Sequence, residues 1–191
     1  MIVIATDGDP VTGVLHGYAR TLVASLETQV TTWLSGRHAT GGAIAHALEM
    51  RPGQPVFLFG HGVAPPGAGF RGACGKIVLD VHRISWFLAD RVVVGSFCDG
   101  QQLGVHARRI GFSMFGYRGP LAVPLWPRYV PRMEEAALAG PLHVARRGSV
   151  EAAAAIAARS YARLAHQLNS SSSWTDFMAA AVIASNDPTH W

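Results

Sequence analysis

Cysteine is scarce in this chain: Cys74 and Cys98 are the only two among 191 residues. Two cysteines do not build a disulfide framework, so a reducing compartment is expected. Lysine is scarcer still. Lys76 stands alone, and arginine supplies the rest of the basic charge behind a net +4. The arginines are scattered, with short pairs only at Arg108-Arg109 and Arg146-Arg147. Nucleic-acid binding needs a clustered basic patch with aromatics that stack on bases, so no nucleic-acid partner is expected. Charged residues make up 15% and apolar residues 49%, which argues against disorder over most of the length. No apolar run approaches the roughly 20 residues that span a bilayer, so no membrane partner is expected. Met1-Ile-Val-Ile-Ala-Thr-Asp7 goes straight into a strand without a basic leader. No signal peptide is expected on that ground, and the expected location is cytoplasmic.

What is present is an alternation of strand and helix patterns, sized for one domain over residues 1–191. The organising stretch is Arg91-Val-Val-Val-Gly-Ser-Phe-Cys98-Asp-Gly100. Consecutive valines read as a strand buried on both faces, as in a parallel sheet. The small residues at its end let the chain turn and present Cys98 at the carboxyl edge, where open α/β sheets carry their chemistry. Pro55-Val-Phe-Leu-Phe-Gly60-His61-Gly62 is a second buried strand, ending in a histidine between glycines. Parallel strands would bring His61 and Cys98 out on one edge, and a Cys with a His in reach is the minimal machinery of a thiol hydrolase.

In chain order, Ile2-Val3-Ile4-Ala5 reads as the first strand, and residues 6–10 as a turn at the same edge. Leu15, Tyr18, Leu22 and Leu26 predict a helix over 14–27. Residues 29–34 read as a β-branched strand, and Thr40 as the cap of a helix over 42–50. Residues 63–69 are a loop by composition, 70–79 a small hairpin, and 81–88 a short helix. A helix over 101–110 follows the cysteine, and the partial positive charge at its N-terminus would favour a thiolate. Residues 111–119 read as a glycine-spaced loop, and 120–126 as a proline-limited strand. Ser149 caps an alanine-rich helix over 150–168, and 174–185 holds a last apolar segment. The fold class expected is α/β with a mostly parallel central sheet.

This succession resembles the caspase-like (clan CD) cysteine peptidases. Their pattern is a strand ending in His-Gly, a hairpin, a helix, and a strand ending in Cys. The remainder is most similar to the bacterial CHAT branch: Leu125-Trp126-Pro127, then Gly148-Ser149-Val150 opening a helix, then Trp174 and Phe177 leading into a closing strand at Val182-Ile183. The resemblance covers roughly residues 50–187 and keeps its order. It implies a three-layer caspase-like sandwich and a cysteine endopeptidase. Cys98 would be the nucleophile and His61 the proton carrier. The backbone N–H groups of Gly62 and Cys98 would form an oxyanion hole, working largely as a dyad with no third member evident. Pockets in such enzymes often hold a charge that selects the substrate side chain. Asp7, Asp9 and Asp99 gather at the predicted edge, so substrate binding through a basic residue is expected.

Other readings stay open. Cys98-Asp-Gly100-Gln-Gln102 resembles the nucleophile turn of glutamine amidotransferases, and Ser96-x-Cys98-x-Gly100 a hydrolase elbow. The amidotransferases need a His-x-Glu pair after the Cys, which His143-Val-Ala does not supply; in the hydrolase order His190 with Asp176 or Asp187 would supply the base. A non-catalytic caspase-like interaction module is the third reading. Cys74 reads as packing. Cys74…His82 and Cys98…His106 are each eight apart, which is not a zinc spacing, so neither metal nor cofactor is expected. The expected partners are a peptide or protein substrate and a separately encoded regulatory protein, with gating by loops 63–69 and 111–119.

Overall fold

The structure is a computed structural model that describes residues 1–63, 69–73, 75–80 and 85–191. Six strands form one sheet in the order β2-β1-β3-β7-β8-β9. They are β1 (Ile2–Ala5), β2 (Thr32–Ser35), β3 (Val56–Phe59), β7 (Val92–Ser96), β8 (Ser113–Tyr117) and β9 (Pro188–His190). All neighbours run parallel except the β8–β9 pair. A second, three-stranded sheet holds β4 (Gly62–Val63), β5 (Gly69–Arg71) and β6 (Ile77–Asp80), all antiparallel. The β5–β6 pair is the hairpin expected over 70–79.

Alternation along the central strands divides their side chains between two cores. Val3, Ala5, Phe57, Phe59 and Val94 pack with α1 (Pro10–Ser25), α5 (Val130–Ala145), α6 (Val150–Asn169) and α7 (Trp174–Ala184). Ile2, Ile4, Val56, Leu58 and Val93 pack with residues of α2 (Gly41–Met50), α3 (Ser85–Leu88) and α4 (Gly100–Ile110). β1 and β3 are buried along their whole length, as their unbroken apolar runs require.

Local chemistry sets the helix starts. Thr40 accepts from the Ala43 N–H to cap α2, and Ser149 accepts from the Ala152 N–H to cap α6, both as expected. α1 begins four residues earlier than the apolar spacing predicts. Asp9 accepts from the Val11 and Thr12 N–H groups, Thr12 answers the Asp9 N–H, and Pro10 opens the first turn. The expected turn is therefore also a cap.

Four expectations change. Residues 111–119 are not a loop: their centre is β8, with Met114, Phe115 and Tyr117 buried, and the glycines at 111, 116 and 119 misled the reading. Residues 120–126 form no strand; Pro120 and Pro124 lack the N–H a ladder needs. Val182 and Ile183 lie in α7, where an alanine run favours helix, and the closing strand is β9. α5 occupies a stretch to which the periodicity assigned nothing. The helix expected over 81–88 is seen as α3 from Ser85; of the loop expected over 63–69, Val63 and Gly69 lie in β4 and β5, and residues 64–68, like Cys74 and residues 81–84, lie outside the described residues. Among the described residues, no helix is long and apolar enough to cross a membrane.

At the amino end of β7, the edge opposite Cys98, Arg91 is only 5% exposed. Its guanidinium donates to the carbonyls of Phe87 (2.6 Å), Leu48 (2.6 Å), Arg51 (2.7 Å) and Gln54 (3.0 Å). It thereby ties the end of α2 to the entry of β7. Arg91→Met leaves these carbonyls without their donor. It should cost about 3 kcal/mol in urea unfolding, and Arg91→Lys should recover little because an ammonium cannot span the four acceptors. A loss under about 0.5 kcal/mol would mean that the staple is incidental.

Candidate active site

β1, β3 and β7 are adjacent, parallel and in register, with Ala5 opposite Phe59 and Phe59 opposite Ser96. The turns after them therefore emerge at one level. They carry Asp7 and Asp9, His61, and Cys98 with Asp99.

Two glycines let these turns touch. A Cβ on Gly60 would stand 2.3 Å from Thr6 Oγ1, in the turn after β1. A Cβ on Gly62 would stand 1.8 Å from the Cys98 carbonyl oxygen, in the turn after β7. His61 is thus held between its two neighbouring turns by residues without side chains. Gly62 makes room for the Cys98 backbone.

His61 Nε2 lies 2.5 Å from Asp9 Oδ2. The two side chains are 42% and 38% exposed, so the pair sits in the open mouth of the edge. The other oxygen of Asp9 caps α1. The Thr12 N–H holds the Asp9 carboxyl below its ordinary range; burial opposes it, and the hydrogen bond and charge of His61, with the Val11 N–H, restore the lowering. Asp9 is thus a carboxylate shared between a helix end and an imidazole.

Cys98 is half-buried and packs against the core on the α1 face, while Phe97 turns into the opposite core and meets the Phe70 ring at 5.6 Å. The thiol is not bonded to His61. Its partner is Leu121, whose N–H donates to Sγ at 3.3 Å and whose carbonyl lies 3.9 Å away. Burial pushes the thiol up. The Leu121 N–H and its own N–H pull it back in part, and Asp99 pushes it up again. This runs against the expected thiolate: burial raises the thiol, and Cys98 precedes α4 rather than lying in its first turn.

The three acids separate. Asp9 meets His61. Asp99 stands beside Cys98 at the start of α4 in a left-handed conformation (φ 54°), with no side-chain cap bond. Asp7 is exposed, its carboxylate against Gly36 at the end of β2. His190 pairs with Phe115 inside the sheet, two positions from the carboxyl end of β8, and not in the turns of the Cys98 edge. An open groove of about 820 Å³ runs along α1 from Pro10 past Gly13, Gly17 and Trp33; Asp9, His61 and Cys98 are not among its lining residues.

Sequence reasoning missed two participants. Asp9 as the partner of His61 was signalled only by its capping pattern, Asp-Pro-x-Thr. The Leu121 N–H had no signal, because residues 120–126 read as a strand. No family model matches the chain, and no curated protein matches it.

A buried neutral thiol reacts late in a pH titration. Alkylation of Cys98 by iodoacetamide, located by peptide mass mapping, should rise with a midpoint above the free-thiol value of about 8.5. A midpoint near pH 6 to 7, the range of activated thiols, would contradict this electrostatic account.

Proposed function

We propose that the chain is a cysteine endopeptidase on a three-layer, caspase-like sandwich of the CHAT type, the sheet lying between its two groups of helices. The observation that carries this reading is the convergence of Asp9, His61 and Cys98 on one edge, with Gly62 pressed against the Cys98 backbone. A carboxylate on Nε2 fixes the imidazole tautomer. Nε2 then carries the proton toward Asp9, and Nδ1 is left as the base.

The chemistry follows. His61 Nδ1 takes the Cys98 proton, and the thiolate attacks the peptide carbonyl carbon. The N–H groups of Gly62 and Cys98 receive the oxyanion. The C–N bond breaks as His61 returns the proton to the leaving amine, giving a thioester. Water, deprotonated by His61, then releases the acid and restores the thiol. Asp9 acts through His61 as a positioning residue. Asp99 beside the cysteine, and the exposed Asp7, are left to meet a basic substrate side chain.

One observation favours a second reading, a non-catalytic interaction module: the resting thiol is neutral and bonded to Leu121. Cleavage decides between them. Against a fluorogenic peptide library, Cys98→Ala and His61→Ala should each lose about a thousandfold or more in kcat/KM, and Cys74→Ala little. Asp9→Asn keeps an oxygen for the α1 cap but turns an amide toward His61. It should lower kcat about a hundredfold with KM little changed, and shift the pH profile. Preferred residues before the cut should be Arg and Lys. Cleavage that persists in Cys98→Ala rules out the peptidase reading at this site. Absence of cleavage by the wild type under all conditions favours the module.

A further inference from the structure

The residues after β8 cross back over the cysteine turn. Residues 118–123 touch it twice: the Asp99 N–H donates to the Gly119 carbonyl at 2.9 Å, and the Leu121 N–H donates to Cys98 Sγ at 3.3 Å. Leu121 is 6% exposed, anchored in the core on the α1 face. The far side of the segment is held by the chain that follows α7. Asn186, 7% exposed, grips the Ala122 peptide with both ends of its amide. The Ala122 N–H donates to Oδ1 at 2.8 Å, and Nδ2 donates to the Ala122 carbonyl at 3.1 Å. Next to it, the Arg118 N–H donates to the Asp187 carbonyl at 3.0 Å, and the two side chains form an exposed ion pair at 3.6 Å.

An asparagine amide offers both an N–H donor and a carbonyl acceptor, as a peptide unit does, so Asn186 replaces one rung of a ladder. The segment needs that replacement. It forms no strand, and Pro120 has no N–H to give. Its hold on Cys98 therefore depends on a few named bonds. An exposed ion pair adds little to them, whereas the buried amide is costly to remove.

We propose that residues 118–123 are an autoinhibitory strap, closed by Asn186, which must lift from Cys98 before the thiol can meet His61 and a peptide carbonyl. With the strap closed, the sulfur's partners are the Leu121 N–H and carbonyl. Lifting it frees the sulfur for the imidazole and opens the space above the turn. The device deepens the peptidase reading and rests on Cys98 being its nucleophile. Its position ties the site to the α7–β9 junction, an element remote in sequence from Cys98.

Thiol alkylation and amide exchange test this without any cleavage assay, so failure of the strap and failure of the peptidase reading are distinguishable. Asn186→Ala should raise the iodoacetamide rate at Cys98 about tenfold and speed exchange of the Leu121 and Ala122 amides, while β3 and β7 stay protected. Asn186→Asp keeps an acceptor for the Ala122 N–H and should fall between the two. In the unaltered protein, protection of Cys98 from alkylation and of the Leu121 amide from exchange should agree within about threefold, because one opening exposes both. That comparison decides the matter if Asn186→Ala loses protection in the sheet. Faster exchange at Leu121 and Ala122 with unchanged alkylation overturns the proposal. So does a wild-type Cys98 that reacts freely while the Leu121 amide stays protected.

Discussion

Everything at the candidate site depends on how closely three turns approach at the carboxyl edge of β1, β3 and β7. Parallel register brings the turns to one level, and Gly60 and Gly62 remove the side chains that would hold them apart. A methyl group at position 62 would overlap the Cys98 carbonyl, so any larger residue displaces either His61 or the cysteine turn. Close packing at this edge turns a short displacement into lost alignment. The same edge joins helix to site through Asp9, which gives one oxygen to the α1 cap and the other to His61. The seating of α1 thus sets the orientation of the imidazole.

Electrostatics at the edge pull the Asp9 carboxyl and the Cys98 thiol in opposite directions. Asp9 stays ionised because backbone N–H donors and an imidazole face it. Cys98 stays neutral because desolvation exceeds what the Leu121 N–H returns. An ionised carboxylate on an imidazole therefore shares the edge with a neutral thiol. On the proposed peptidase reading that is the resting state of a gated nucleophile, and the contact between residues 118–123 and Cys98 is its point of control.

The strands that build the edge were legible in the sequence because they are buried on both faces. Unbroken runs such as Val56–Phe59 leave one interpretation once glycines bound them. Capped helices were legible for a local reason, since Thr40 and Ser149 announce α2 and α6. β8 was hidden because Gly116 within it and Gly111 and Gly119 around it imitate a loop, and α7 because an apolar segment of its length suits either strand or helix. Within the site, His61 and Cys98 were visible as polar ends of apolar strands. The Asp9–His61 bond spans 52 residues, and the Leu121–Cys98 bond joins a backbone donor to a sulfur. Neither leaves a periodic trace; both arise only when tertiary packing brings the turns together.

The central claim is that Cys98 attacks a carbonyl with the help of His61. A peptidyl acyloxymethyl ketone carrying arginine next to its warhead tests it directly, because the probe bonds only to a thiol aligned for attack. Over an incubation long enough for residues 118–123 to open, intact mass and peptide mapping should find one equivalent of the peptide on Cys98 of the full chain, and little on His61→Ala over the same time. Equal labelling of the two proteins, or a probe found elsewhere than Cys98, would contradict the account.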